Sequence, residues 1–312
     1  MTEILGELGG DFPAAILVVL HLSATSPSLL PHILRRACAM PVVLAKDGVT
    51  LEPGHAYVAP PDLHLRVEDG RMRLDAGPRV NGHRPSIDPL FLSVGPWWRE
   101  RAAGVIVSGT RDDGTAGLSC IASCGGRTLV QDPAEARHGG MPRSAIDHVS
   151  VDAVLPAREL GAALRRIVGG EELAAAHGSG GNGHQDIVHE SESLTTVCPE
   201  CGGVLTESRE GGVRHWVCHI GHRYGSRTLA DIQGQGVENA LWIAVRTLKD
   251  RNALLSHLAA DAEARGHPRS AHQFRRQGEL CGEQAELISE VVRRLTEADV
   301  GNPLGEIEEI EG

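Results

Sequence analysis

Gly104-Val105-Ile106-Val107-Ser108-Gly109-Thr110-Arg111-Asp112-Asp113-Gly114-Thr115-Ala116-Gly117-Leu118 is an apolar run, then a Gly- and Asp-rich turn, then the opening of a helix-like segment. A short apolar run closed by glycine and followed by a helical pattern reads as a buried strand feeding a βαβ crossover. Ala14-Ala15-Ile16-Leu17-Val18-Val19-Leu20 ends in the same way, at His21. In open α/β sheets ligands bind in the crevice beyond the carboxyl ends of the strands. The two runs therefore predict that His21 and Asp113 meet there, two members of a Ser-His-Asp unit. Taken singly, each residue has an ordinary reading: a structural histidine after a buried strand, and N-cap chemistry at Asp-Asp-Gly-Thr. It is their arrival at equivalent strand ends that gives the catalytic reading its weight.

Working outward, the same alternation fills residues 1–168. Apolar runs lie at Val42–Leu44, Ala56–Ala59, Arg127–Gln131 and Ala153–Leu155. Helix-like stretches lie at Pro27–Met40, Ile87–Ala103, Ala116–Cys124, Ser144–His148 and Glu159–Val168. This predicts an α/β fold, with helices packed on a mainly parallel sheet. One stretch breaks the rhythm: His64–Leu74 alternates with period two around Asp69-Gly70, a hairpin signal expected at the sheet edge.

The remainder divides by composition. Residues 169–193 are rich in Gly, His, Ser and acid and predict a flexible linker. Residues 194–230 hold Cys198-Pro199-Glu200-Cys201 and, after a stretch suited to a hairpin at Glu210-Gly211-Gly212, Cys218 and His222. Two pairs of soft ligands at this spacing can close a tetrahedron around zinc. His222 is the first choice for the fourth ligand, with His219 and His215 as alternatives. Four protein ligands leave no open position, so the zinc would be structural. Residues 231–298 carry two helical patterns flanking Gly266-His267-Pro268, with Leu241, Val245, Leu248, Leu255 and Leu258 on the first. Phe274, Cys281, Ile288 and Leu295 recur at heptad spacing on the second, which predicts an αα-hairpin or a coiled coil between copies. Residues 299–312 form an acidic tail.

Bulk properties narrow the function classes. The chain has 312 residues, 41% of them hydrophobic, and a formal net charge of −11. That charge disfavours nucleic acid, whose phosphates need a basic face. No apolar run reaches the roughly 18 residues of a membrane span, and nothing at the N-terminus resembles a signal peptide. Seven cysteines that include a Cys-x-x-Cys point to metal rather than to a disulfide framework. The expectation is a cytoplasmic protein without membrane insertion.

Three further segments accompany the Asp113 turn in fixed order: Gly54–Leu65 with Ala59-Pro60-Pro61-Asp62, His83-Arg84-Pro85-Ser86-Ile87-Asp88-Pro89, and Gly140-Met141-Pro142-Arg143-Ser144. With Ser108-Gly109 through Asp113-Gly114-Thr115-Ala116-Gly117-Leu118, they resemble the catalytic domain of chemotaxis protein-glutamate methylesterases of the CheB family over roughly residues 3–165. The resemblance implies a three-layer α/β sandwich. It also implies hydrolysis of γ-glutamyl methyl esters on the signalling helices of methyl-accepting chemoreceptors, with glutamine deamidation as a second reaction and no cofactor for catalysis. In its terms His21 is the general base and Asp113 the triad acid. Thr110 stands where the family has a Met whose amide helps hold the oxyanion. Arg111 replaces a glycine at the pocket mouth, either engaging acidic receptor residues or simply solvated. Arg84 and Ser86 are expected to shape the crevice, or Ser86 to cap a helix.

The family nucleophile is the serine of Gly-Ala-Ser-x-Gly-Gly, and Thr2–Leu8 resembles the helix that follows it. The serine is thus expected immediately before Met1, because of a start assigned too late, a trimmed fragment or a true loss. Ser23, Ser26 and Ser28 sit on no Gly-flanked elbow and are not expected to substitute. The Cys-Pro-x-Cys-Gly-Gly segment and the helix after it resemble an extension found on some stand-alone members of the same family. The alternative function is an inactive adaptor of the same fold that docks on receptors. Intrachain packing is the default for the helices, with self-association or receptor docking as the alternative.

Overall fold

The computed structural model describes residues 1–21, 29–171, 196–210 and 212–301. Residues 172–193 of the expected linker, the three serines after His21 and the acidic tail from residue 302 lie outside them. The chain divides into two compact units, Met1–Leu229 and Ala230–Gly312.

The first unit contains α1 (Thr2–Gly6), β1 (Ile16–Val18), α2 (Leu30–Arg35), β2 (Val42–Leu44) and β3 (Ala56–Val58). Next come β4 (His64–Glu68), β5 (Arg71–Asp75), α3 (Ile87–Trp98), β6 (Ala103–Ile106) and α4 (Thr115–Ser123). The α/β part closes with β7 (Arg127–Gln131), α5 (Gly140–His148), β8 (Ala153–Leu155) and α6 (Ala157–Val168). Each apolar run became a strand, because runs this short and rich in branched residues suit a sheet covered on both faces. All pairings among β1, β2, β3, β6, β7 and β8 are parallel. They form two three-stranded ladders, ordered β1-β3-β2 and β6-β7-β8, where one mainly parallel sheet was expected.

Strand alternation sorts the side chains into layers. Ile16 and Val18 of β1, Ala56 and Val58 of β3, Val105 of β6 and Leu129 of β7 share one core with residues of α1, α2 and α6. Their neighbours Leu17 and Tyr57 face a second core with Leu65 and Met72 of the hairpin and Leu90 of α3. Ile106 and Val130 face a third, with Leu118 of α4 and Met141 and Ala145 of α5. The first core spans both ladders, so the α/β part has helices on both faces of its strands. The β4–β5 hairpin pairs antiparallel as a separate two-stranded ladder, its turn at Asp69 and Gly70 both at positive φ.

The rest of the first unit is a three-stranded antiparallel sheet: β9 (Leu205–Glu210), β10 (Val213–Cys218) and β11 (Arg223–Gly225). A helix, α7 (Ser226–Ala264), starts directly after β11, inside the stretch expected to close the ribbon.

In the second unit, α7 continues and is followed by α8 (Pro268–Gly301) after Gly266, which has φ +76°. Glu263 pairs with Arg275, and Gly278 and Gly282 lie against Asn252, so the two helices run antiparallel. Val245, Leu255, Ala259 and Ala262 are buried along α7, and Ala271, Cys281, Ala285 and Val292 along α8. Of the expected seam, Leu258 and Leu295 face solvent instead, because small alanines on the adjoining turns bring the helices close and take the inner positions.

Candidate functional site

β1 ends three residues before His21, and β6 leads through Ser108 and Gly109 to the turn at Asp113. His21 Nε2 lies 2.6 Å from Asp113 Oδ2. The turn has this shape because Gly114 takes φ +88°, a left-handed conformation that opens α4, and because Gly117 leaves room for α3. A Cβ at Gly117 would stand 2.5 Å from the Cβ of Phe91.

Asp113 is buried, and four more donors surround it. Its Oδ1 accepts from Ser86 Oγ at 2.6 Å and from Asn81 Nδ2 at 3.0 Å. The backbone N–H of Ile87 donates to Oδ2 at 2.8 Å and that of Asp88 to Oδ1 at 3.3 Å. Burial on its own would raise the Asp113 pKa, but the hydrogen bond and charge of His21, with the Ile87 amide and the Ser86 hydroxyl, outweigh it. The carboxylate is held well below its usual range and is ionised at neutral pH.

With Nε2 committed to Asp113, Nδ1 is the ring nitrogen left for a reacting hydroxyl. His21 is partly exposed, with about a quarter of its side chain open to solvent. His83 stacks on it, with ring centroids 3.9 Å apart and planes 6° from parallel. Burial, then the neighbouring His21 charge, lowers the His83 pKa to about 4. It is therefore a neutral platform that fixes the plane of the His21 ring.

Two more carboxyls adjoin the turn. Asp88 accepts from Asn81 Nδ2 and from the Gly117 amide, at 3.0 and 2.8 Å. Its pKa is raised well above normal, by burial first and then by the Asp113 charge. Asp112 is raised as well, chiefly by burial, with donors from Arg227 and Thr228 opposing. The site thus sets a carboxylate held low, at Asp113, beside two carboxyls whose pKa values burial pushes upward.

The other expected residues fall as follows. Ser86 does stand at the N-cap position of α3, but its hydroxyl serves Asp113 rather than the helix amides. Arg84 bonds Asp62 and the carbonyls of Ala76 and Gly77, tying loops together beside the crevice. Thr110 is exposed at the rim, and Arg111 follows with φ +68°. His83 and Asp88 stood in the quoted 83–89 segment without a role of their own, and Asn81 was not singled out from the sequence. Their signal was present in the clustering of polar residues at 81–88 ahead of a helix, but only the fold aims them at Asp113.

A second constellation lies in the three-stranded sheet. The ligand atoms of Cys198, Cys201, Cys218 and His222 all lie within 4.8 Å of one another. Cys201 Sγ to Cys218 Sγ is 3.6 Å, and His222 Nδ1 lies 3.6 and 3.5 Å from the Sγ atoms of Cys198 and Cys218. A tetrahedron built on Zn–S and Zn–N bonds of about 2.3 and 2.05 Å has edges of about 3.8 and 3.6 Å, so the donor set fits zinc. Burial opposes the Cys218 thiolate, but the amides of Ile220, His222 and Gly221 face its sulfur and lower its pKa to about 6. Glu200 stands 3.3 Å from His222 Nε2, placed to orient the ring as a ligand. His215 is instead buried at 4% exposure beside the Val213 carbonyl, and His219 packs on Gly203; neither belongs to the cluster.

Fold and site together define an α/β domain, helices on both faces of parallel strands, with a hydrogen-bonded His–Asp pair at the strands' carboxyl ends. Comparison with known proteins makes this specific. Residues 1–164 match the CheB methylesterase family model, more than half of the chain, and the protein belongs to that family. Protein-glutamate methylesterase FrzG of Myxococcus xanthus is 40% identical over 169 residues, 54% of this chain and 51% of that protein. A protein-glutamate methylesterase/protein-glutamine glutaminase of Symbiobacterium thermophilum is 36% identical over 168 residues, 54% of this chain and 46% of that protein. The crystal structure of the Thermotoga maritima CheB methylesterase catalytic domain superposes with a TM-score of 0.50 at 30% identity, covering 53% of this chain and 90% of that one. The chain spans about half the length of the first two relatives.

Proposed function

We propose that this chain carries the acid–base half of a protein-glutamate methylesterase acting on methyl-accepting chemoreceptors, with glutamine deamidation as its second reaction. The observation that carries the reading is the 2.6 Å contact between His21 and the ionised, fivefold hydrogen-bonded Asp113. In the complete unit His21 Nδ1 takes the proton of a serine hydroxyl as its oxygen attacks the ester carbonyl. The same proton then passes to the departing methoxide, which leaves as methanol. Water repeats the cycle on the acyl-serine and releases a glutamate carboxylate. Asp113 keeps one tautomer in place and balances the imidazolium, and Thr110 and Arg111 line the mouth where the oxyanion forms.

The Cys198, Cys201, Cys218 and His222 cluster belongs in this proposal as a structural zinc ribbon, supported by distances that match tetrahedral edges. No cofactor takes part in the ester chemistry. Among the described residues no helix is long and apolar enough to cross a membrane, and we place the protein in the cytoplasm, where receptor signalling helices are reached. Self-association through α7 and α8 is a further part of the proposal, supported by outward-facing Leu254, Leu280, Leu287 and Val291.

The test compares methanol release from methylated receptor by this chain and by one extended N-terminally with a Gly-Ala-Ser-x-Gly-Gly turn and its strand. The extended form should turn over and this chain should not. Silence of both, with receptor binding retained, would favour the adaptor reading.

A further inference from the structure

The three-stranded sheet is fastened to the turn that carries Asp113, and the fastening reaches the reactive carboxylate. β11 lies beside residues 79–81: the Asn81 amide donates to the Arg223 carbonyl at 2.7 Å, and the Arg223 amide to Arg79 at 3.3 Å. The Gly225 N–H then donates to the side-chain oxygen of Asn81 at 2.8 Å. This bond decides which way round the Asn81 amide sits. With its oxygen engaged by Gly225, its NH2 faces the carboxyls and donates to both Asp113 and Asp88 at 3.0 Å. A flipped amide would aim lone pairs at the Asp113 carboxylate inside a buried site, where such a mismatch is costly.

A second fastening grips the preceding residue. Asp112 accepts the N–H groups of Arg227 and Thr228, at 3.1 and 3.3 Å, and the Thr228 hydroxyl. It thereby satisfies the first turn of α7 from outside the helix. Gly225 is where the two fastenings meet. A Cβ there would stand 2.2 Å from Asp112 Oδ2, so only glycine lets β11 come this close. The ligand His222 lies three positions ahead of Gly225, and Cys218 at the end of β10 closes the same loop.

We propose that the ribbon is a positioning element for the His21–Asp113 pair, with Asn81 and Asp112 as the positioning residues through which it acts and the metal as what holds β11 in place. The importance of this for turnover rests on the methylesterase reading. The geometry is read without turnover, so the two can fail separately.

The experiment uses the full 312-residue chain loaded with zinc. It follows the low-field proton of the His21–Asp113 hydrogen bond by NMR, together with amide hydrogen exchange at Gly225, Ile87 and Asp88. Removing zinc with a chelator should speed exchange at Gly225 and, with it, at Ile87 and Asp88 by at least tenfold, and should broaden or erase the low-field proton. Gly225→Ala and Asn81→Ala should do the same with zinc bound. Thr228→Val should weaken the signal and Thr228→Ser should restore it, a pattern that general loss of packing would not produce. Faster exchange at Gly225 with Ile87, Asp88 and the low-field proton unchanged would overturn the proposal. A Gly225 amide indifferent to chelation would remove the metal from it, and a Thr228→Val signal equal to that of the parent would remove Asp112.

Discussion

At the scale of single residues, the site is a solution to burying one charge. Asp113 is among the most buried side chains of the protein, yet it stays ionised because donors from five groups offset the lost hydration. Asp113→Asn in the extended, active chain keeps the shape but reverses the hydrogen-bond sense toward His21. Triads with the wrong tautomer lose about 10⁴-fold in kcat, and a loss of that order in methanol release is expected here. His83 yields a pH prediction. Its pKa falls from an ordinary 6.5 to about 4 on folding, so between those values the unfolded chain binds the extra proton. Stability therefore rises with pH across that window and is lost as pH falls from 6.5 toward 4. His83→Gln should flatten this slope in denaturant titrations at a series of pH values. His21 and Asp113 were legible in the sequence because each follows a strand that the apolar pattern marks plainly. His83 was not, since stacking is a relation between side chains 62 positions apart and leaves no local pattern.

At the scale of elements, glycines set how closely segments approach the site. Gly117 lets α4 cross α3 near Phe91 and the Asp88 backbone, and through them aligns the donors that Asp113 uses. Gly117→Ala should destabilise the domain by about 1–3 kcal/mol, the usual cost of overpacking a close contact, measurable as a lower urea midpoint with an unchanged slope. The strands of the α/β part, the hairpin at Asp69-Gly70 and most helices could be read from period and turn chemistry alone, whereas β11 at Arg223–Gly225 was not. The start of α7 could not. Ser226 continues directly from β11, and its cap comes from Asp112, more than a hundred residues earlier in the chain. A helix whose first turn is satisfied from a distance carries no capping signature of its own.

At the scale of the whole molecule, the ribbon segment and the α/β domain form one compact unit rather than two beads on a linker. One zinc per chain is expected, retained by His219→Ala and His215→Ala and lost by Cys201→Ser and His222→Ala, as measured by metal analysis after gel filtration. The sequence by itself determined the α/β class, the strands that deliver His21 and Asp113, and the Cys198, Cys201, Cys218 and His222 spacing, because hydrophobic period, turn residues and ligand spacing are local properties of a chain. Only the tertiary structure decided that Asn81 turns its amide toward Asp113, that His83 lies flat on His21, and that strand β11 closes over the Asp112 side of the turn. Those are contacts between distant segments, fixed by packing and by the demand that every buried polar group find a partner.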